Sequence, residues 1–349
     1  MKKEKNTMKK NTMKKLLALA CAGAMSVSLA ACGNGNTDGG SSGETGGDTV
    51  KIGILQYAQH PSLDNCHEGV IQGLAEAGYV EGENITIEFQ NANGNTSDAD
   101  MMAKTMVSSG CDMIIAIATP AAMSAYAAAK DEGVPVIYSA VSDPVGAGLA
   151  KDLNDPQTGA SGTKDSLNLE GQMQMIRAML PEAETIGILY TTSEPNSVAH
   201  LQTFQELAPD YGFTIEAVGI TNESEVASGA AALVAKGVDC VNNFTDNNVV
   251  NNLSTLLHAT DAANIPVFGS EEEQVRNGCV ASESLDYVAL GAETGRMAAS
   301  VLSGEADIMS LPVSVVAESS PVYSTANMAK FGITLPADYS SAVDLDAEA

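Results

Sequence analysis

The sequence predicts an α/β protein built as two doubly wound, parallel-sheet lobes facing each other across a cleft. Three observations carry this. Short apolar strands alternate with helix-length segments. The strands are continuous β-branched runs, the pattern of parallel strands covered on both faces. The whole order is written twice, with matching segments recurring after 134, 127 and 131 residues.

The first copy opens with Lys51-Ile52-Gly53-Ile54-Leu55 and the second with Thr185-Ile186-Gly187-Ile188-Leu189. Each is followed by a loop and a helical segment, His67 to Gly78 and Ser197 to Gly212, ending in a glycine stop. The next strands are Ile85 to Phe89 and Thr214 to Val218. A third pair follows: Gly110-Cys111-Asp112-Met113-Ile114-Ile115 and Gly237-Val238-Asp239-Cys240-Val241. Val134-Pro135-Val136-Ile137-Tyr138-Ser139 then matches Ile265-Pro266-Val267-Phe268-Gly269-Ser270. A further block adds a helix over Asp286 to Leu302, a strand over Pro312 to Glu318 and a closing segment from Met328 to Pro336. Chain added after two complete lobes must pack on one or both.

The termini have a different character. Of 17 basic and 44 acidic residues, seven Lys and only Glu4 lie in residues 1–31. A basic head, a 16-residue apolar run (Leu16 to Ala31) and a small-residue end read as an export signal too short to span a bilayer. The run closes in Leu29-Ala30-Ala31-Cys32, which resembles a bacterial lipobox with Cys32 as the lipidated first mature residue. Residues 33–48 hold only small and polar side chains and read as a tether, so 32–48 links the lipid to the folded body. Cys66, Cys111, Cys240 and Cys279 match no zinc spacing and are expected to be free, mostly buried thiols.

The strongly acidic body lacks the basic patches that phosphate backbones require, so nucleic acid is excluded. The absence of Trp argues against sugar stacking. There is no G-x-S-x-G elbow and no Walker A loop, and only four His, so a hydrolase triad lacks its parts. His60, Asp64, Cys66, His67 and Glu68 crowd one stretch, but His60 precedes Pro61 in a loop and no metal motif is present. No cofactor is called for.

Taken together, the lipobox, Ile52-Gly53-Ile54-Leu55-Gln56, Ile117-Ala118-Thr119-Pro120-Ala121-Ala122, Val141-Ser142-Asp143-Pro144 and Gly187-Ile188-Leu189-Tyr190 with Glu194-x-Asn196-Ser197 resemble the ABC-transporter substrate-binding proteins of the tryptophan/tyrosine type. The resemblance covers about Val50 to Leu335. It implies a type I periplasmic-binding fold with a three-crossover hinge. The N-terminal lobe would be 49–165 plus about 285–315, the C-terminal lobe 166–284 plus about 316–340, and 341–349 a tail. It also implies a permease and an ATPase as partners and an amino acid, possibly aromatic, as ligand. The implied protein is a non-enzymatic monomer, lipid-anchored on the outer face of the cytoplasmic membrane. A sensor without transport, a nucleoside-like ligand and a cleft enzyme are the alternatives. The first loop (Gln56 to His60) and the Asn-rich segment Asn242 to Asn252 depart from the usual pattern.

Ligands of such sheets sit beyond the carboxyl ends of the strands. From the first lobe these ends supply Gln56, Tyr57, His60, Thr119, Pro120, Asp143 and Asp165. The second supplies Tyr190, Glu194, Asn196, Ser197, Asp246, Asn247 and Glu271. A zwitterion needs N–H or hydroxyl donors for its carboxylate and an acid for its ammonium. Thr119 or Asn196-Ser197 would take the carboxylate, Asp165 or Asp246 the ammonium, and Tyr57 and Tyr190 would flank the side chain. The same residues have plainer uses. Thr119, Asn196 and Ser197 suit helix caps, Asp143 a turn, Asp165 and Asp246 solvated loops, and Tyr190 the core.

Overall fold

The computed structural model describes residues 49–347. The proposed signal segment 1–31, Cys32 and the tether 32–48 lie outside the described residues.

The first lobe is built from β1 (Val50–Gln56), α1 (Pro61–Glu76), β2 (Ile85–Asn91), α2 (Thr96–Ser108), β3 (Met113–Ile117), α3 (Thr119–Ala129), β4 (Val136–Ser139) and β5 (Ala160–Asp165). The chain then enters the second lobe with α4 (Leu169–Met179), β6 (Thr185–Thr191), α5 (Pro195–Leu207), β7 (Thr214–Ile220) and α6 (Val226–Lys236). That lobe continues through β8 (Cys240–Asn242), α7 (Asn247–Asn251), α8 (Leu253–Ala262), β9 (Val267–Phe268), α9 (Glu272–Arg276) and β10 (Ala281–Ser284). It returns to the first lobe for α10 (Tyr287–Leu302) and β11 (Ser314–Val316). It ends in the second with β12 (Ser320–Tyr323), α11 (Thr325–Lys330) and β13 (Val343–Asp344).

The first sheet has the order β2-β1-β3-β4-β5-β11 and the second β7-β6-β8-β9, all parallel. The repeat seen in the sequence is therefore a shared strand order. Central strands β3 and β6 are apolar and buried nearly throughout, whereas β2 and β7, at the edges, alternate and stay partly exposed. The two-sided cover that makes parallel strands continuously apolar is missing there. One part is not parallel: β10 pairs antiparallel with β12, forming a small separate sheet with β13. Residues 341–347 of the expected tail are not free, because β13 pairs with β12 and Leu345 is buried.

The chain passes between the lobes at 166–168, 285–286 and 317–319. The crossings are tied together. Asn168 Nδ2 donates to Ser319 Oγ at 3.1 Å, and Ser319 Oγ to Glu283 Oε2 at 2.8 Å. Ser166 N reaches Val316 O at 2.8 Å.

Helix α1 begins at Pro61, earlier than the expected His67, since proline suits the first helical turn. It packs on α10 with backbones in contact. A Cβ on Gly73 would lie 2.0 Å from Ala292 O, and one on Gly295 2.4 Å from Val70 O. Only glycine permits this approach. Consequently the N-termini of α1 and α10, both at the cleft, are held as one piece. The four cysteines of the described residues are buried and unpaired.

Candidate functional site

A cavity of about 20 Å³ lies where the two lobes meet. That is room for about one water, so the lobes are shut over the site. His60 and Ser62 at the start of α1, Thr119 at the start of α3, Ser142 after β4, Asp165 at the end of β5 and Tyr287 at the start of α10 line it from the first lobe. Asn196 of α5, Thr245 and Asn247 line it from the second. The two walls touch: His60 Nε2 is 3.5 Å from Asn247 Oδ1.

Four helices of more than ten residues, α1, α3, α5 and α10, start at this cavity. Their first-turn N–H groups have no partner within the helix and carry the positive end of the helix dipole, which favours an anion. Thr119 does not cap α3. The N-cap is Ala118, at φ 79°, and the buried Thr119 hydroxyl has no protein partner. Ala140, after β4, also has positive φ and lines the cavity. Such backbone costs about 1–3 kcal/mol per residue and collects at functional sites. Asn196 and Ser197 do not cap α5 either. Glu194 is its N-cap, and Asn196 Oδ1 and Ser197 Oγ are buried without protein partners.

Asp165 is the carboxylate in the cavity wall. Its Oδ1 accepts from Ser142 Oγ at 2.9 Å and its Oδ2 from Tyr287 OH at 3.1 Å. Burial pushes its pKa above the usual carboxylate range, while Ser142 and the charge of Lys164 pull it back. Burial also lowers His60 to about 4, so the ring is neutral at pH 7.

The remaining expected residues lie off the cavity. Asp246 caps α7 through Val249 N and ties it to Thr191, whose Oγ1 donates to Asp246 Oδ1 at 2.8 Å. Its oxygens are committed to the fold. Glu271 caps α9 through the backbone N–H groups of Glu273 and Gln274. Glu194 sits behind Asn196 and Asn247. Gln56 Nε2 donates to Ala58 O and Asp64 Oδ1, building the first loop, and Tyr57 OH donates to Gly94 O at 2.9 Å. Asp143 is turn chemistry, accepting from Gly146 N at 2.9 Å. Tyr190 lies over Gly219 of the adjacent strand and packs on the second-lobe core rather than facing the cleft. Pro120 is buried as the second residue of α3.

Sequence reasoning did not pick Ser62, Ser142, Thr245 or Tyr287. Ser142 had a signal, because it precedes Asp143 directly after a strand. Tyr287 had none until the second crossing is known to return α10 beside β5.

The profile of the family described as ABC transporter substrate binding protein matches residues 51–343. The chain belongs to that family. Within it, this substrate-binding protein is 36% identical over 310 residues to a tyrosine-binding protein of Clostridioides difficile (strain R20291), covering 88% of this chain and 89% of the relative. Among solved structures, an ABC domain from Streptococcus pneumonia in complex with L-Trp aligns with TM-score 0.81 at 34% identity, covering 84% of this chain and 98% of that one. A ligand-free, open substrate-binding protein with adhesive properties from Clostridium difficile is also 34% identical, with coverage of 85% and 98%, but aligns with TM-score 0.64. At near-equal identity and coverage, this binding protein aligns better with the L-Trp complex than with the ligand-free, open structure. The fold is of the type I periplasmic-binding class.

Proposed function

We propose that this protein is the extracytoplasmic, lipid-anchored receptor of an ABC importer, and that it binds a free amino acid between its lobes and delivers it to a membrane permease powered by an ATPase. The observation that carries the reading is the composition of the cavity wall. Helix N-termini and hydroxyls from both lobes and a single hydrogen-bonded carboxylate, Asp165, line the same small space. That pairing suits a carboxylate and an ammonium on one carbon. The carboxylate goes to Thr119 and the first turn of α3, and the ammonium to Asp165. Asp246, whose oxygens already serve α7 and Thr191, is not the ammonium partner. The tyrosine-binding and L-Trp-bound relatives support an aromatic amino acid as first choice. Because the closed cavity is small, such a ligand requires the lobes to part, and its contacts to both lobes then favour reclosure.

The signal-like residues 1–31 and Cys32 support export and lipid anchoring. No helix among the described residues is long and apolar enough to cross a membrane.

Thermal shift across the twenty amino acids, nucleosides and sugars tests the reading. Stabilisation by one or a few amino acids is expected; stabilisation by sugars alone would refute it. Cys32→Ala should move the protein from the membrane fraction to the medium or periplasm.

A further inference from the structure

Glu194 is 1% exposed and stands behind the second-lobe wall. Its Oε2 accepts from Asn247 N at 3.2 Å, Asn247 Nδ2 at 2.7 Å and Asn196 Nδ2 at 3.3 Å. A backbone N–H can only donate, so Oε2 is held as an acceptor. Burial and the charge of Asp246 push Glu194 up to about 8. A proton it carries at pH 7 therefore belongs on Oε1, which faces Asn248 Nδ2 at 3.4 Å. Oε2 accepts in either state.

This fixes two amides. Asn196 Nδ2 also donates to Thr245 O at 3.2 Å, so both of its hydrogens are used and its Oδ1, buried in a wall residue, has no protein partner. Asn247 turns its NH₂ to Glu194 and its Oδ1 to His60 Nε2. His60 is neutral and carries one ring hydrogen. Facing an acceptor, that hydrogen sits on Nε2. His60 Nδ1, also buried and unpartnered within the protein, is left as a lone-pair acceptor.

We propose that Glu194 is a positioning residue that sets the polarity of the pocket. By taking the NH₂ groups of Asn196 and Asn247 it turns Asn196 Oδ1 and, through Asn247, His60 Nδ1 toward the space that also holds Asp165. Three acceptors from two lobes then receive the ammonium, which leaves the carboxylate to α3. The inference rests on the amino-acid reading above and adds the element that distinguishes one end of the ligand from the other. A ligand that lacks the amine leaves these acceptors unsatisfied, and that cost gives the discrimination.

The test compares affinities of the full chain for L-tyrosine and L-tryptophan with those for their des-amino analogues, 3-(4-hydroxyphenyl)propanoate and 3-(indol-3-yl)propanoate. Wild type, Glu194→Leu and Glu194→Gln are titrated by calorimetry. Leucine removes the acceptor, which frees the NH₂ groups of Asn196 and Asn247 to turn to the cavity. The amino acids should then weaken about tenfold or more, since a hydrogen bond to a charged group is lost, while the des-amino analogues hold their affinity. Glutamine keeps a carbonyl oxygen in the place of Oε2 and puts its NH₂ in the place of Oε1, so it should retain the preference. Equal weakening of all four ligands by leucine, or an unchanged preference in that variant, would overturn the proposal. A second measurement needs no variant at position 194: ¹⁵N spectra of wild-type His60, assigned by loss of its signals in His60→Gln, should show hydrogen on Nε2. Hydrogen on Nδ1 would overturn the proposal even if Glu194→Leu fails to fold. If wild type binds neither amino acid but binds a nucleoside or sugar, the amino-acid reading fails instead, and the His60 tautomer still decides whether Glu194 orders the amides.

Discussion

At the scale of single residues, the site separates groups that hold the fold from groups left for a ligand. Asp246 and Asp165 are both buried acids at strand ends, and the sequence offered no means of ranking them. Their partners do. Asp246 receives Thr191 N, Thr191 Oγ1 and Val249 N. Asp246→Ala strands those donors in a buried place and should cost about 2 kcal/mol or more of stability, read by denaturant unfolding. Asp165→Asn keeps the shape and removes a buried charge, so the unliganded protein should be as stable as wild type or more so. Its amino-acid ligand should nevertheless weaken by about 2 kcal/mol or more. Calorimetry and melting on the same sample check both halves; a loss of stability without loss of affinity would make Asp165 a structural acid. The residues misplaced in sequence reasoning share a cause. Gln56, Tyr57 and Glu271 do stand at strand ends, but their side chains turn back to build the loops and helix starts that hold the wall. Strand position is legible in a sequence; the direction of a loop side chain is not.

At the scale of elements, the strands were the most legible part. Apolar runs of β-branched residues located β1, β3 and β6, and the doubled order predicted the shared topology. Helix starts were less so, since α1 begins at Pro61 and α5 at Pro195, where loop-like residues conceal the first turn. The contact of α1 with α10 was invisible, because it depends on glycines that look unremarkable until two distant helices meet. Gly73→Ala places a methyl group 2.0 Å from Ala292 O. Backbone has to move, and a loss of about 3 kcal/mol is expected. Because His60 and Tyr287 sit at the cleft ends of these two helices, the variant should also bind ligand more weakly at temperatures where it is fully folded. Full affinity there would mean that the helix pair does not position the wall.

For the whole molecule, buried titrating groups give a pH signature. Glu194 and Glu271 are raised to about 8 and about 7, so the folded state holds protons that the unfolded state has released. Their effect lowers stability as pH rises from about 4.5 to 8. His60 and His200, lowered to about 4 and about 3, act in the opposite sense and raise stability up to about pH 6.5. Above that only the acids remain. The melting temperature of the unliganded protein should therefore fall between pH 6.5 and 8, and a rise there would contradict the buried-acid account. Lobe closure is the other molecular property. Small-angle scattering should show a smaller radius of gyration with ligand than without, and an unchanged radius at saturation would speak against closure. The two-lobe plan followed from the repeat alone, whereas the antiparallel β10–β12 pair, made by chain beyond the repeat, did not. That late chain has a practical effect. Two residues of β13 occupy one edge of β12. Cutting the protein at residue 342 would bare a row of unpaired amides and carbonyls able to stitch one molecule to the next, so a shortened version should gather into oligomers although every residue of the ligand pocket is still there.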